Sequence, residues 1–401
     1  MTRAGAVAAG RPEDPATSGQ AVRSLAVAVF ALVATILPSY LLGTLAVSMG
    51  PELGLTPALL GVVVACRFAG AAVSSPFAGR WVERLGPVQG LRLPVLALVV
   101  VLLVIGLLVR QWWVLALLMV VGGVALATVQ PAADVWVSRR VRAEHQGLAF
   151  GFKQAAIPAA ALLAGSLVPT ALAAWGWRPV WVVAACVALL AGVAVPWRAG
   201  ATGAGTGRAR LDRTGDEPVS SLVWLAVSFG LASVAVVNLT TFLVVGAVDA
   251  GLGEGAAGLL FGLSGAAGIV ARVALGRLAD RTRWDLLVLL ACLQVVGAGT
   301  FVLLGLAGPV GYLVGAPLAF VFGLGWPGLM MLAVVRASPR APGAATGMAN
   351  TGSFVGSILG PPCFGLVAAH VGYPAGWLGT AASLLLAAAA VLVARAGRRR
   401  S

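Results

Sequence analysis

Three cations interrupt long apolar stretches of the chain: Arg67, Lys153 and Arg272. A basic side chain at the centre of a membrane helix costs about 2.5–3.5 kcal/mol on insertion scales, so each asks for a reason. Arg67 is followed at i+3, i+4 and i+7 by Gly70, Ala71 and Ser74, a small, polar stripe that lines a cavity or lets another helix pack close. Lys153 is the only lysine among 27 basic residues, which points to a task for a compact, titratable ammonium. The opposing reading is a lysine that snorkels to the nearer membrane face. Arg272 stands four residues before Gly276 and tilts towards the middle of its helix, with a structural pairing as its opposing reading. Asp134 is the nearest carboxylate, and a local salt bridge to the Arg139, Arg140 and Arg142 cluster or to Arg272 is expected of it. Three cations against at most one acid make a positive interior. That suits an anionic ligand and disfavours a lipophilic cation.

The remaining polar candidates are Tyr40, Asn238, Asn350 and Ser353. The last two lie on a stripe with Ser357 and Pro361, next to a Gly352, Gly356, Gly360 face that favours close packing. His145 and His370 fall at helix ends. Cys66, Cys186, Cys292 and Cys363 are far apart inside apolar runs and are expected to be buried, with no CxxC spacing for metal or redox work. The sole lysine reads Phe152-Lys153-Gln154, so no phosphate-binding Gly-Lys-Ser/Thr exists to power an ATP motor. No cofactor, no metal and no catalytic residue is expected.

Composition supplies the frame for these residues. Of 401 residues, 60% are hydrophobic and 10% charged, more apolar surface than a soluble domain can bury. Twelve apolar runs are expected as membrane helices, roughly 22–48, 56–78, 91–109, 112–137, 147–173, 179–196, 220–249, 255–275, 285–306, 310–335, 344–370 and 375–394. The net charge of +14 then sorts by side. Twenty-two arginines fall in the two termini and alternate loops, and only Arg110 and Arg178 fall on the other side. Both termini are therefore expected in the cytoplasm, and a nucleic-acid partner is excluded for want of a soluble basic face. The segments are 1–21 as a disordered lead-in, 22–196 as one six-helix bundle, 197–219 as a linker, 220–394 as a second bundle and 395–401 as a basic tail. Trp112, Trp113, Trp175, Trp177 and Trp377 are expected as interface anchors.

Two short stretches tie the bundles together. Gly79-Arg80-Trp81-Val82-Glu83-Arg84-Leu85-Gly86 joins the second and third runs, and Gly276-Arg277-Leu278-Ala279-Asp280-Arg281 joins the eighth and ninth, 197 positions later. Gln130-Pro131 answers Trp326-Pro327 and Gly165 answers Gly365, at offsets of 196 to 200. The repeated loop resembles the G-x-x-x-D-R-x-G signature of the major facilitator superfamily, with Glu83 for Asp in the first copy and Arg283 for the last Gly in the second.

The resemblance implies an all-α membrane fold of twelve helices in two parallel six-helix repeats, with a solute site between them near the midplane. It implies secondary transport by alternating access across the plasma membrane, and not an enzyme. Gly79, Glu83, Arg84, Gly276, Asp280 and Arg281 would form the conformational gate, the two acids capping helices of the opposite half in the outward-facing state. Glu83→Gln should then bias the protein inward. Arg272 resembles the helix-8 arginine of monocarboxylate and oxalate carriers. Gly147 to Gly165 looks like a fifth-helix pattern of some bacterial members, whereas the drug–proton antiporter marks (an arginine in mid helix 4, Gly-Pro-x-x-Gly-Gly in helix 5) are missing. The expected solute is a small organic anion, with a coupling proton and membrane lipid as further partners and a monomer as the working unit. Efflux of amphipathic compounds is the alternative within transport, and a non-transporting sensor or scaffold the alternative outside it.

Overall fold

The computed structural model describes residues 18–141, 149, 152–196, 219–281, 285–338 and 342–398. All secondary structure among them is helical. The first half comprises α1 (Ser18–Thr44), α2 (Ala46–Leu53), α3 (Pro57–Leu108), α4 (Trp112–Arg140), α5 (Ala156–Trp175) and α6 (Arg178–Ala194). The second comprises α7 (Val219–Asp249), α8 (Glu254–Arg281), α9 (Leu286–Leu306), α10 (Gly308–Leu318), α11 (Pro327–Ala337), α12 (Pro342–His370) and α13 (Tyr373–Arg398). Nine described stretches are long and apolar enough to cross a membrane, one of them α10 with α11, and two shorter apolar helices accompany them. At 52 residues α3 is about twice the length a span requires, so it supplies two spans and the total is twelve.

Several boundaries differ from expectation. The connection between the second and third runs is helical on both sides, not a loop. Only Gly86 leaves the helix, at φ 80° and ψ 161°, a conformation that glycine alone adopts freely. α1 begins at Ser18, within the expected lead-in, and α13 runs to Arg398, through part of the expected tail. Backbone hydrogen bonding carries a helix past its apolar stretch into the headgroup region. There Arg395 Nε donates to Asp285 at 2.5 Å, and Asp285 also caps α9 through the Leu287 N–H at 3.0 Å. The 197–218 stretch of the linker lies outside the described residues.

Two burial expectations fail for one reason. Cys186, Cys292 and Cys363 are exposed and Cys66 half-buried. Trp377 is fully buried, donating to the Tyr312 hydroxyl at 2.7 Å and packing on Phe301 and Phe364. A helix that is apolar all round does not announce which face meets lipid, and lipid accepts an apolar side chain as readily as a protein core does. Trp175 falls where no side chains are described.

Glycines set how closely the helices meet. Within the second half, Cβ atoms on Gly352 and Gly356 would strike the carbonyls of Ala226 and Gly230, so the GxxxGxxxG face packs backbone to backbone on α7. Between the halves, a Cβ on Gly43 of α1 would stand 2.5 Å from the Thr240 carbonyl of α7. One on Gly61 of α3 would strike Pro361 of α12, and one on Gly365 of α12 would strike the Pro57 carbonyl of α3. The repeat mate of Gly365, Gly165 on α5, meets Gly258 and Gly262 of α8 in the same way. These contacts lie towards the arginine-poor end. Ser48 of α2 adds a hydrogen bond there to the Glu254 carboxylate at the start of α8.

The same end carries a surface ion pair. Arg178 Nη2 donates to Glu52 at 2.6 Å and Trp177 Nε1 to its other oxygen at 2.6 Å. The Arg178 and Trp177 hydrogen bonds hold the Glu52 carboxyl below its ordinary range. A depressed carboxylate contributes stability that is complete above the unfolded value, about pH 4.3, and lost as pH falls through the folded one. Glu52→Gln is expected to remove that acid-side slope from the melting curve with at most ~1 kcal/mol of effect, because the pair is exposed. An unchanged slope in the variant refutes the assignment.

Candidate functional site

Arg67 is sealed inside the first half, with none of its surface exposed. Its Nη2 donates to the Thr35 carbonyl of α1, and its Nε and Nη1 have no partner. Thr35 lies one turn before Pro38, whose missing N–H interrupts the bonding of that helix. Room for the guanidinium comes from α4. A Cβ on Gly122 would stand 2.6 Å from Nη1, and one on Gly123 would strike the Arg67 carbonyl. Two adjacent glycines opposite a membrane cation were the available signal for a cradle.

Lys153 neither snorkels outward nor stands alone. Its ammonium pairs with the Asp134 carboxylate of α4. The salt bridge expected of Asp134 is thus present with Lys153 as a partner, while Arg142 and the side chain of Arg139 lie outside the described residues. The guanidinium of Arg140 instead lies 3.4 Å from the centre of the Trp136 ring. Lys153 has a side-chain exposure of 7% and Asp134 one of 45%, so the carboxylate covers the ammonium from the open side.

Arg272 joins the halves. Its Nη1 donates to the Gln154 carbonyl at 2.9 Å, one residue beyond Lys153, and its Nη2 reaches the Leu324 carbonyl at 3.4 Å. Both acceptors sit where a helix is interrupted. Ala155 is a turn before α5, and the stretch Ala319–Gly323 is one turn of π-helix that ends before Pro327. Pro327 removes the N–H that the Gly323 carbonyl would have used, and it opens α11 as a new helix. The matching Pro131 stays inside a continuous α4. Glycines 323 and 325 flank the break in the second half and have no counterpart in the first.

Tyr40 is buried near Arg272, edge-on to Phe261 at 5.8 Å, and Phe261 is edge-on to Phe320 at 5.4 Å. Tyr40, the Lys153–Gln154 turn, Arg272 and the break after Gly323 thus form one cluster between the halves. The other candidates lie apart from it. Asn238 donates to Thr380 Oγ1 at 3.0 Å inside the second half, and its Oδ1 has no partner. Ser353 and Ser233 share a hydrogen bond at 2.8 Å, and Asn350 is exposed. His370 shares a hydrogen bond with the Leu366 carbonyl, and His145 lies outside the described residues.

Of the expected gate residues, Gly79, Glu83 and Arg84 are described with their surroundings. A Cβ on Gly79 would meet nothing within 4 Å, so no helix packs closely on it here. Glu83 and Arg84 are exposed, and Glu83 makes no hydrogen bond or ion pair among the described residues. The side chains of Asp280 and Arg281 and the surroundings of Gly276 lie outside the described residues.

Solved structures share this architecture. A bacterial homologue of the human lysosomal transporter Spinster, inward-facing and occupied, superposes with a TM-score of 0.79 at 14% identity, over 97% of this chain and 98% of that one. A D-xylose–proton symporter gives 0.76 at 14% identity, over 93% and 97%. The nucleoside transporter NupG gives 0.74 at 14%, over 93% and 99%. No curated protein matches in sequence. The sequence model of the Major Facilitator Superfamily matches residues 25–361, which takes in both copies of the repeated loop and the whole inter-half cluster. Twelve spans in two repeats, glycine contacts between them and this match agree: the chain belongs to the Major Facilitator Superfamily and is a multi-pass membrane transporter of a small solute, not an enzyme.

Proposed function

We propose that the solute is a small organic anion, moved by alternating access with a coupling proton across the plasma membrane, both termini lying in the cytoplasm. The supporting observation is two membrane-embedded guanidinium groups with no carboxylate partner among the described residues. Arg67 has one carbonyl and two unpartnered nitrogens, and Arg272 has two carbonyls. Asp134, an acid near the cluster among the described residues, is engaged by Lys153. At an effective dielectric of about 20, an anion about 4 Å from the Arg272 guanidinium gains roughly 4 kcal/mol, and a cation loses as much. With arginines inside, closure at the arginine-poor end makes this the inward-facing state, with Glu83 free to act in the other.

The test is thermal melting of the purified protein in detergent with a panel of carboxylates, sulfonates and lipophilic cations. A ligand of the folded state at 100 times its Kd adds about 2.7 kcal/mol of stability. Carboxylates or sulfonates are expected to raise the melting temperature, and Arg272→Ala to abolish the rise. Stabilisation by lipophilic cations alone sinks the anion reading and leaves efflux of amphipathic compounds in its place.

A further inference from the structure

The Lys153–Asp134 pair has a consequence that the cluster alone does not carry. Lys153 is the cation an incoming anion would seek beside Arg272, yet its ammonium is already neutralised. A second carboxylate brought to the same ammonium would leave two negative charges on one positive, out of water, which is costly. An ammonium stripped of Asp134 with nothing in its place would be costly too. Two states balance a charged Lys153 at this point: Asp134 ionised on the ammonium, or Asp134 protonated with an external anion on it.

We propose that Asp134 occupies the place of the substrate's charge at Lys153, so that an anion binds there only when Asp134 has taken a proton. The proposal rests on the anionic reading of the solute. The proton goes from the medium to the Asp134 carboxylate, the ion pair breaks, and a new pair forms between the Lys153 ammonium and the anion. One proton and one negative charge enter together, so the loaded site keeps the charge of the empty one. The exposure difference gives the order of access: Asp134, at 45%, is within reach of solvent, and Lys153, at 7%, is reached by way of it.

The described charged groups towards the same end of the elements packed on α4 and α5 are Arg23 on α1, Arg80, Glu83, Arg84 and Arg92 on α3, Arg140 on α4 and Arg272 on α8. Glu83 and Arg84 are exposed, Arg140 stacks on Trp136, and Arg272 is held by the Gln154 carbonyl next to Lys153. Arginine does not give up a proton in proteins, so besides the exposed Glu83 the described groups here that can exchange a proton are Asp134 and Lys153.

The sole lysine makes the test specific. Protein labelled with 15N at the lysine Nζ carries one side-chain ammonium signal, that of Lys153. The probe is acetate, which has the functional group of Asp134. In the wild type, acetate is expected to move the signal at acidic pH. Its apparent affinity should weaken about tenfold per pH unit once Asp134 ionises, since only the protonated fraction is competent. In Asp134→Asn the response should be present at every pH. A wild-type response independent of pH overturns the proposal, and so does an Asp134→Asn signal that ignores acetate. The wild-type titration stands alone if the variant does not fold. The two readings fail separately. If panel anions stabilise the protein but the acetate response ignores pH, the anionic solute stands and the competition falls. If acetate exchanges with Asp134 at Lys153 while no panel anion raises the melting temperature, the solute assignment falls and the exchange stands.

Discussion

Arg67→Met is expected to melt higher than the wild type and to bind the panel anion about 30-fold more weakly. The two effects have one source. The guanidinium is fully buried, with one hydrogen bond and two nitrogens unpartnered. Exchange of an incompletely satisfied buried ion for an apolar side chain of similar length is neutral or stabilising by about 1–4 kcal/mol. Arg67→Ala is the contrasting case, because it also leaves a cavity and should melt lower. The binding loss follows from the lost charge. An anion in the inter-half cluster, taken at about 8 Å and an effective dielectric of about 20, loses roughly 2 kcal/mol of attraction. Melting in detergent and the dependence of the melting shift on anion concentration check both parts. A methionine variant that melts well below the wild type shows that the two nitrogens are satisfied in the folded protein, and the charge argument then loses its basis.

Gly365→Val should drive the protein out of the conformation described above. The new Cβ would strike the Pro57 carbonyl and stand 2.9 Å from the Ala58 Cα, both of them backbone of α3. Overpacking of this kind costs about 1–3 kcal/mol. Only the state closed at the arginine-poor end bears that cost, so the balance moves by about 5- to 150-fold. Gly165→Val, at the matching position of the other half, should do the same against α8. The readout is a single cysteine at Met49, which is fully buried here, in a background without the four native cysteines. Its reaction with a maleimide is expected to quicken at least fivefold in either variant. Gly379→Val, with open space where its Cβ would be, is the control and should leave the rate alone. Equal rates in all three refute the view that glycine contacts hold this end shut.

Parts of this were legible in the residues. A loop repeated after 197 positions gave the two halves, and the matched Gly165 and Gly365 turned out to do the same work at opposite seams. The partner of Lys153 was not legible. Asp134 stands 19 positions earlier on another helix, and the pairing depends on which faces of α4 and α5 meet. Helices apolar on every side carry no polar stripe to fix those faces. The same silence hid the burial of Trp377 and the exposure of Cys186, Cys292 and Cys363. The break at Leu324 was half visible. Pro327 answers Pro131 in the repeat, but only the second copy has the flanking glycines that go with a helix end, and the first proline stays inside a helix.

The seams between the halves are made where side chains are missing. Gly43, Gly61, Gly165 and Gly365 each press on a carbonyl or an α-carbon, groups that every residue type possesses. Such a joint constrains its few small positions and leaves the facing ones free to drift, since any backbone presents much the same surface. A lineage built on it can rewrite its solute chamber without refitting its hinge. That is one physical route to chains that differ at six positions in seven and still superpose along nearly their whole length.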